Sequence, residues 1–344
     1  MLLNYLRLTD YYSVEADTAL PVARWFLDRF PLTDTQYLEF DLLLIQQLIS
    51  DTVGGKVEVA RTVIPSYLDS NWGYKERGIP LWDSTHYFIA FVYFPRLEED
   101  TPQLDHYIWL LHELFHHTWS YIKKRFEQLY QPAFEEVLFD NDLMSLADRS
   151  LAKQKSRAFA EQFARVWRLG DTSGWPLELA IDTHCLYVSG PAYLNAFVEE
   201  HTAFDPFIID PMHPPVELRA SALLAGATTL GWYAHAGELE RLLETWRNQG
   251  QEASASNRYV ALRSEHLITA CVESALALAA DVGLPRLTAS DLHRLERAVT
   301  AGETLEGLDL VVAAQLYTRS LDKATLLAWE ERTVKQLIGD DETT

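Results

Sequence analysis

The chain has 344 residues, 48% hydrophobic and 23% charged, a globular composition that excludes a disordered, collagenous or low-complexity protein. Its 29 Lys+Arg against 50 Asp+Glu leave a formal charge of −21. That balance argues against a nucleic-acid or anionic-lipid partner, since both need a basic face to displace counterions. Cys185 and Cys271 are too few for a disulfide framework. The start, MLLNYLRLTDYY, lacks the charged-then-apolar pattern of a secretory leader. The least polar long window, 220–237, is rich in Ala, Gly and Thr and includes His235. These features predict a soluble, cytoplasmic protein without a membrane span.

In chain order, Thr33 with Gln36 forms a capping-box start for a helix striped by Leu38, Leu42, Ile45 and Ile49 and ended by Gly54–Gly55. The β-branched stretch 56–64 reads as a strand. HYFIAFVYF, 86–94, is apolar on both faces, as in a strand buried within a sheet, and Pro95 stops it. Thr101–Pro102 supplies an N-cap and a first-turn proline for a helix from Gln103 to about Leu129. Its stripe is Ile108, Leu111, Phe115, Trp119 and Ile122. Further helices are expected at 156–169, 177–188, 216–225 and 237–247, with several between 259 and 338. The segment 203–215, with four prolines, reads as a structured loop. The expected division is 1–225, with an α/β part at 1–100 and the motif-bearing helices at 101–225, followed by a helical region at 226–344.

The chemistry lies in LLHELFHHTW, which holds His112–Glu113–x–x–His116. Histidines four apart share a helix face and reach one Zn²⁺, while the intervening glutamate can take a proton from a zinc-activated water. His117 points about 100° away round the helix and reads as packing or surface. A catalytic zinc site needs a third protein ligand. Glu178–x–x–x–Asp182 follows 62 residues after His116, again with both acids on one helical face. Glu178 could bind the metal while Asp182 accepts a histidine ring N–H; Asp182 and His184 compete for the ligand role. His213–Pro214–Pro215–x–x–x–Arg219 is a rigid turn into a helix, where Arg219 could pair with a nearby carboxylate. Cys185 reads as a buried inert thiol.

HELFHH, ELAID and HPPVELR, in that order, resemble the gluzincin metallopeptidases related to the CAAX prenyl endopeptidases and the bacterial heat-shock membrane proteases. The likeness spans 103–224, about a third of the chain. It implies zinc on His112, His116 and Glu178, Glu113 as general base, Asp182 as support, and the His213–Arg219 segment beside the site. The expected fold is therefore α+β but predominantly helical, a zincin-like core with a small N-terminal sheet and a helical C-terminal region. Relatives of this kind are often integral membrane proteins, whereas this sequence carries no spanning pattern, so their substrates do not carry over.

The resulting expectation is a soluble zinc metalloendopeptidase acting on a protein or peptide, active outright or latent until a regulatory partner or signal triggers it. His213 and Tyr193 are the candidates for stabilising the oxyanion. The alternative is a zinc-binding regulatory or interaction protein with little or no protease activity. Glu113 favours the enzyme, because a structural zinc site has no use for a base.

Overall fold

The computed structural model describes residues 43–45, 47–52, 62–66, 73–80, 86–93, 104–140, 150–170, 174–202, 205–250, 256–317 and 322–338. Three short strands, β1 (Thr62–Ser66), β2 (Gly73–Pro80) and β3 (His86–Tyr93), pair in the order β1-β3-β2, with β1 parallel and β2 antiparallel to β3. A 3₁₀ turn, Leu104–Tyr107, leads into α1 (Ile108–Asp140). There follow α2 (Ser150–Trp167), α3 (Trp175–Ser189), α4 (Pro191–His201), α5 (Val216–Leu230), α6 (Gly237–Gly250) and α7 (Ser256–Leu262). The chain continues with α8 (Glu265–Val282), α9 (Ala289–Ala301), α10 (Gly307–Tyr317) and α11 (Lys323–Ile338).

The expected α+β class with a zincin-like core is overturned: helices predominate as expected and a small sheet is present, but the described core is helix packed on helix. Every residue of α3 is buried: apolar residues lie all round the helix, and its polar residues, Glu178 and Asp182 among them, are buried with them. It packs against α1, α5 and α8, and α8 also packs against α1. The apolar face of α8, with Ile268, Cys271, Val272, Ala275, Leu278 and Ala279, thus backs the two motif helices. Local periodicity announces such a helix without saying what it covers.

α1 runs past the expected end near Leu129 to Asp140, through Pro132. Phe126, Tyr130, Phe134 and Val137 extend its buried stripe at helical spacing, and this packing holds the helix across the proline. β2 and α4 are elements that the sequence pattern did not announce. β2, GYKERGIP, lacks apolar alternation and is held by backbone pairing to β3. α4 begins directly after Gly190, with Pro191 in its first turn. The expected N-terminal helix is helical at 43–45 and 47–52; its caps at Thr33, Gln36 and Gly54–Gly55 lie outside the described residues, as does His117's side chain.

Distant segments fix the start of α1. Glu330 of α11 accepts the Leu104 N–H at 2.8 Å. Gln47 and Asp51 accept the N–H groups of Gly307 and Leu308 at 3.0 and 2.9 Å, satisfying donors at the start of α10, which packs on the 3₁₀ turn and on α4. Among the described residues no helix is long and apolar enough to cross a membrane. Cys185 and Cys271 are buried free thiols.

A second buried carboxylate ties α5 to its other neighbours. Glu217 accepts from Tyr259, from Arg263 Nε and Arg247 Nε at 3.1 Å each, and from Ser221 at 3.0 Å. Burial opposes its ionisation, but Arg263 and the hydrogen bonds from Tyr259 and Ser221 prevail and hold its pKa below the ordinary value. The unfolded chain therefore binds this proton first as pH falls. The stabilisation is complete above about pH 4.5 and is lost as pH drops through the lower folded value. Urea midpoints of wild type and Glu217→Gln should differ clearly at neutral pH and converge in acid; a gap independent of pH contradicts this account.

The α3–α4 corner is set by Gly190. Its φ of +54° is left-handed, and an added Cβ would stand 2.8 Å from Leu287 Cδ2 and 3.2 Å from Trp232 Cε2. Gly190→Ala should cost about 1–3 kcal/mol through strain and overpacking, read as a lower melting temperature. An unchanged melting temperature would show that the corner relaxes freely.

Candidate metal centre

α1 and α3 face each other so that His112, His116 and Glu178 converge, and these side chains form a group that could hold a metal ion. The two histidine Nε2 atoms are 3.2 Å apart. Glu178 lies 3.3 Å from His112 Nε2 and 3.5 Å from His116 Nε2. These separations match the edge of a tetrahedron with ~2.0–2.1 Å bonds, about 3.3–3.4 Å. Two imidazole lone pairs and a carboxylate at such range need a positive charge between them, whether a proton or a cation. Of the three acidic or imidazole candidates for the third position, the structure brings Glu178 to the pair of histidines.

Asp182 and His184 face elsewhere. Asp182, one turn beyond Glu178, lies on the other edge of the His112 ring, with Oδ1 3.1 Å from Nδ1. It has no solvent exposure. Arg219 from α5 donates to it twice, Nε to Oδ2 and Nη2 to Oδ1, both at 2.7 Å. His184 Nε2 is 3.1 Å from the Ala275 carbonyl of α8, its ring packs against Phe115, and its buried Nδ1 has no hydrogen-bond partner.

Tyr193 is fully buried in the first turn of α4. Its hydroxyl donates to Asp182 Oδ1 at 2.6 Å and lies 3.2 Å from His112 Nδ1. It is therefore behind His112, on the edge of the ring away from Glu178 and His116, rather than across the site as an oxyanion donor. His213 is exposed on the loop before α5, where its backbone N–H donates to Asp210 at 3.3 Å; none of its described contacts reaches the cluster. That loop is nevertheless tied to the start of α3. Gly174 N–H donates to Met212 C=O at 3.2 Å, and the Trp175 indole donates to Asp210 C=O at 2.7 Å.

The charges are strongly coupled. For His112, burial opposes protonation, but hydrogen bonds that the ring donates to Asp182, Cys185 and Glu178 outweigh it and raise its pKa well above the ordinary value. Burial lowers His116 to about 4, against the pull of Glu178. Burial also pushes Glu113 up to about 7; the nearby charges of His112 and Arg219 resist and that of Glu178 assists. Glu178 falls to about 2, since His116 and His112 overcome its burial. Asp182 is held far below the carboxylate range because Arg219 outweighs burial. In the chain alone, protonated His112 and Arg219 balance the Glu178 and Asp182 carboxylates, and a cation would take the place of the His112 proton.

Supporting aromatics were not singled out from the sequence. Trp109 meets His112 and Tyr193 edge-on, with centroids 6.4 and 5.6 Å apart. The Arg219 guanidinium lies over Phe197, 5.5 Å from its centroid, and Phe197 stacks on His201 at 4.3 Å. The signal was present as spacing: Trp109 precedes His112 by three, and Tyr193, Phe197 and His201 recur every four residues on one helix face.

Asp182→Asn should leave the Arg219 charge buried without its partner. Denaturation with a chelator present should show a loss of about 3–5 kcal/mol, independent of metal. A variant as stable as wild type would mean that Arg219 finds solvent. In comparisons with known proteins, no family model matches this chain, and no curated protein or solved structure matches it.

Proposed function

We propose that this chain is a zinc metalloendopeptidase of the gluzincin kind, with zinc held by His112, His116 and Glu178. The observation that carries the reading is the convergence of two Nε2 atoms and a carboxylate at 3.2–3.5 Å, with Glu113 beside them on the same helix. Two imidazoles and one carboxylate suit zinc and leave a tetrahedral position for water or substrate. The order of the motifs adds the resemblance described above.

Zinc bound there supplies a Lewis acid that acidifies water and polarises a peptide carbonyl. The chain does the rest. The Asp182 carboxylate stands at the Nδ1 edge of His112, so the ring keeps its proton there and presents Nε2 as the ligating nitrogen. A Glu113 carboxylate oxygen accepts the proton of the attacking water and returns it to the departing amine nitrogen. Arg219 keeps Asp182 ionised and in place.

Zinc content and cleavage of casein or of the chain itself, compared between wild type and Glu113→Gln, test the proposal. Both proteins should carry about one zinc per chain, while the near-isosteric amide, unable to accept a proton, should cut hydrolysis by roughly 10²–10⁴-fold. A Gln variant as active as wild type would sink the role of Glu113. Wild type that holds zinc and cleaves nothing, alone or with candidate partners, would leave a zinc-binding protein without protease activity. Wild type that takes up no zinc would remove the metal reading altogether.

A further inference from the structure

Asp182 Oδ1 is oversubscribed. It already receives the Tyr193 hydroxyl at 2.6 Å and Arg219 Nη2 at 2.7 Å, one bond for each lone pair. The third neighbour, His112 Nδ1, stands farther off at 3.1 Å. The same nitrogen is 3.2 Å from the Tyr193 oxygen, which has given its proton to the carboxylate and keeps its lone pairs. The short bond to a charged acceptor commits the Tyr193 proton to Asp182, because charge-assisted hydrogen bonds are the stronger ones. The hydroxyl therefore meets His112 as an acceptor, which requires a ring proton on Nδ1, so that the neutral ring that binds a metal is bare at Nε2. Were the Tyr193 proton directed to His112 instead, the ring proton would sit on Nε2, between the donors that must be free to bind a metal.

The hydroxyl has little freedom to move. Tyr193 is fully buried, Trp109 meets its ring edge-on at 5.6 Å, and α4 starts from the Gly190–Pro191 corner packed on Leu287 and Trp232. Nor can Arg219 replace it, because an arginine carries donors only.

We infer that Tyr193 is a positioning residue for metal binding: by donating to Asp182 and accepting from His112 it fixes the ring tautomer and orientation that present Nε2 to the ion. The inference rests on the zinc reading above and assigns Tyr193 a task different from stabilising an oxyanion.

Zinc affinity, from competition with a chromophoric chelator, and cobalt(II) absorption should be measured for wild type and Tyr193→Phe. Melting of each chelated protein runs alongside. The phenylalanine ring keeps the packing, so metal-free melting should shift by no more than a few degrees. Zinc affinity should weaken roughly 10-fold, the lower end of the range for outer partners of a metal-ligating histidine. The cobalt bands should change as His112 turns. Equal zinc affinities in the two proteins overturn the inference. So does a loss of affinity that only parallels a collapse of metal-free melting, which would make Tyr193 a structural residue. Wild type that binds neither zinc nor cobalt overturns the metal reading itself, a result distinct from either.

Discussion

A carboxylate with no solvent exposure must be surrounded by donors, since burying a lone ion costs several kcal/mol. Asp182 is that carboxylate, in the middle of a helix that is buried on every side. Arg219 reaches it from α5, Tyr193 from α4 and His112 from α1. One charge thus ties α3 to three other helices, and each of those contacts is directional. Helix packing alone tolerates sliding and rotation; a bidentate guanidinium and a 2.6 Å hydroxyl bond do not. The orientation of His112 toward His116 and Glu178 follows from what stands behind it.

Much of this centre is legible in the amino-acid order because it is built from helical spacing. His112 and His116 are four apart, as are Glu178 and Asp182, so each pair shares a face wherever the helix lies. What spacing leaves open is which edge of a ring a distant side chain meets. Tyr193 was expected opposite the reacting group and stands behind His112, because the turn at Gly190 aims the start of α4 back at α3. His213 was expected beside the site and is exposed, because the loop before α5 is pinned at Asp210 and Met212 to Trp175 and Gly174. The fold class failed for a related reason. The apolar strand HYFIAFVYF suggests a sheet behind the motif helix, and β2 and β3 do meet α1, but the main support shared by α1 and α3 is α8, about ninety residues beyond α3. Contacts of that separation leave no local pattern.

α5 shows how the two buried carboxylates share the burden. Glu217 and Arg219 are two residues apart, so they point about 200° from one another around the helix. Arg219 faces α3 and neutralises Asp182 there. Glu217 faces the other way and collects Arg247 of α6, Tyr259 of α7 and Arg263 just before α8. The helix is gripped on opposite faces by ion pairs of opposite polarity, so it can neither rotate nor withdraw without exposing an unpaired buried charge. Arg263 precedes α8 by two residues, and α8 in turn backs α1 and α3. These supports converge on the His112–His116–Glu178 cluster: α8 backs the motif helices from behind, the Glu217 network holds α5 near the start of α8, and α5 supplies the arginine that keeps Asp182 charged beside His112. A substitution at Glu217, whose described bonds all run to the far side of α5, should therefore be felt at the site through the position of Arg219 rather than through any contact of its own.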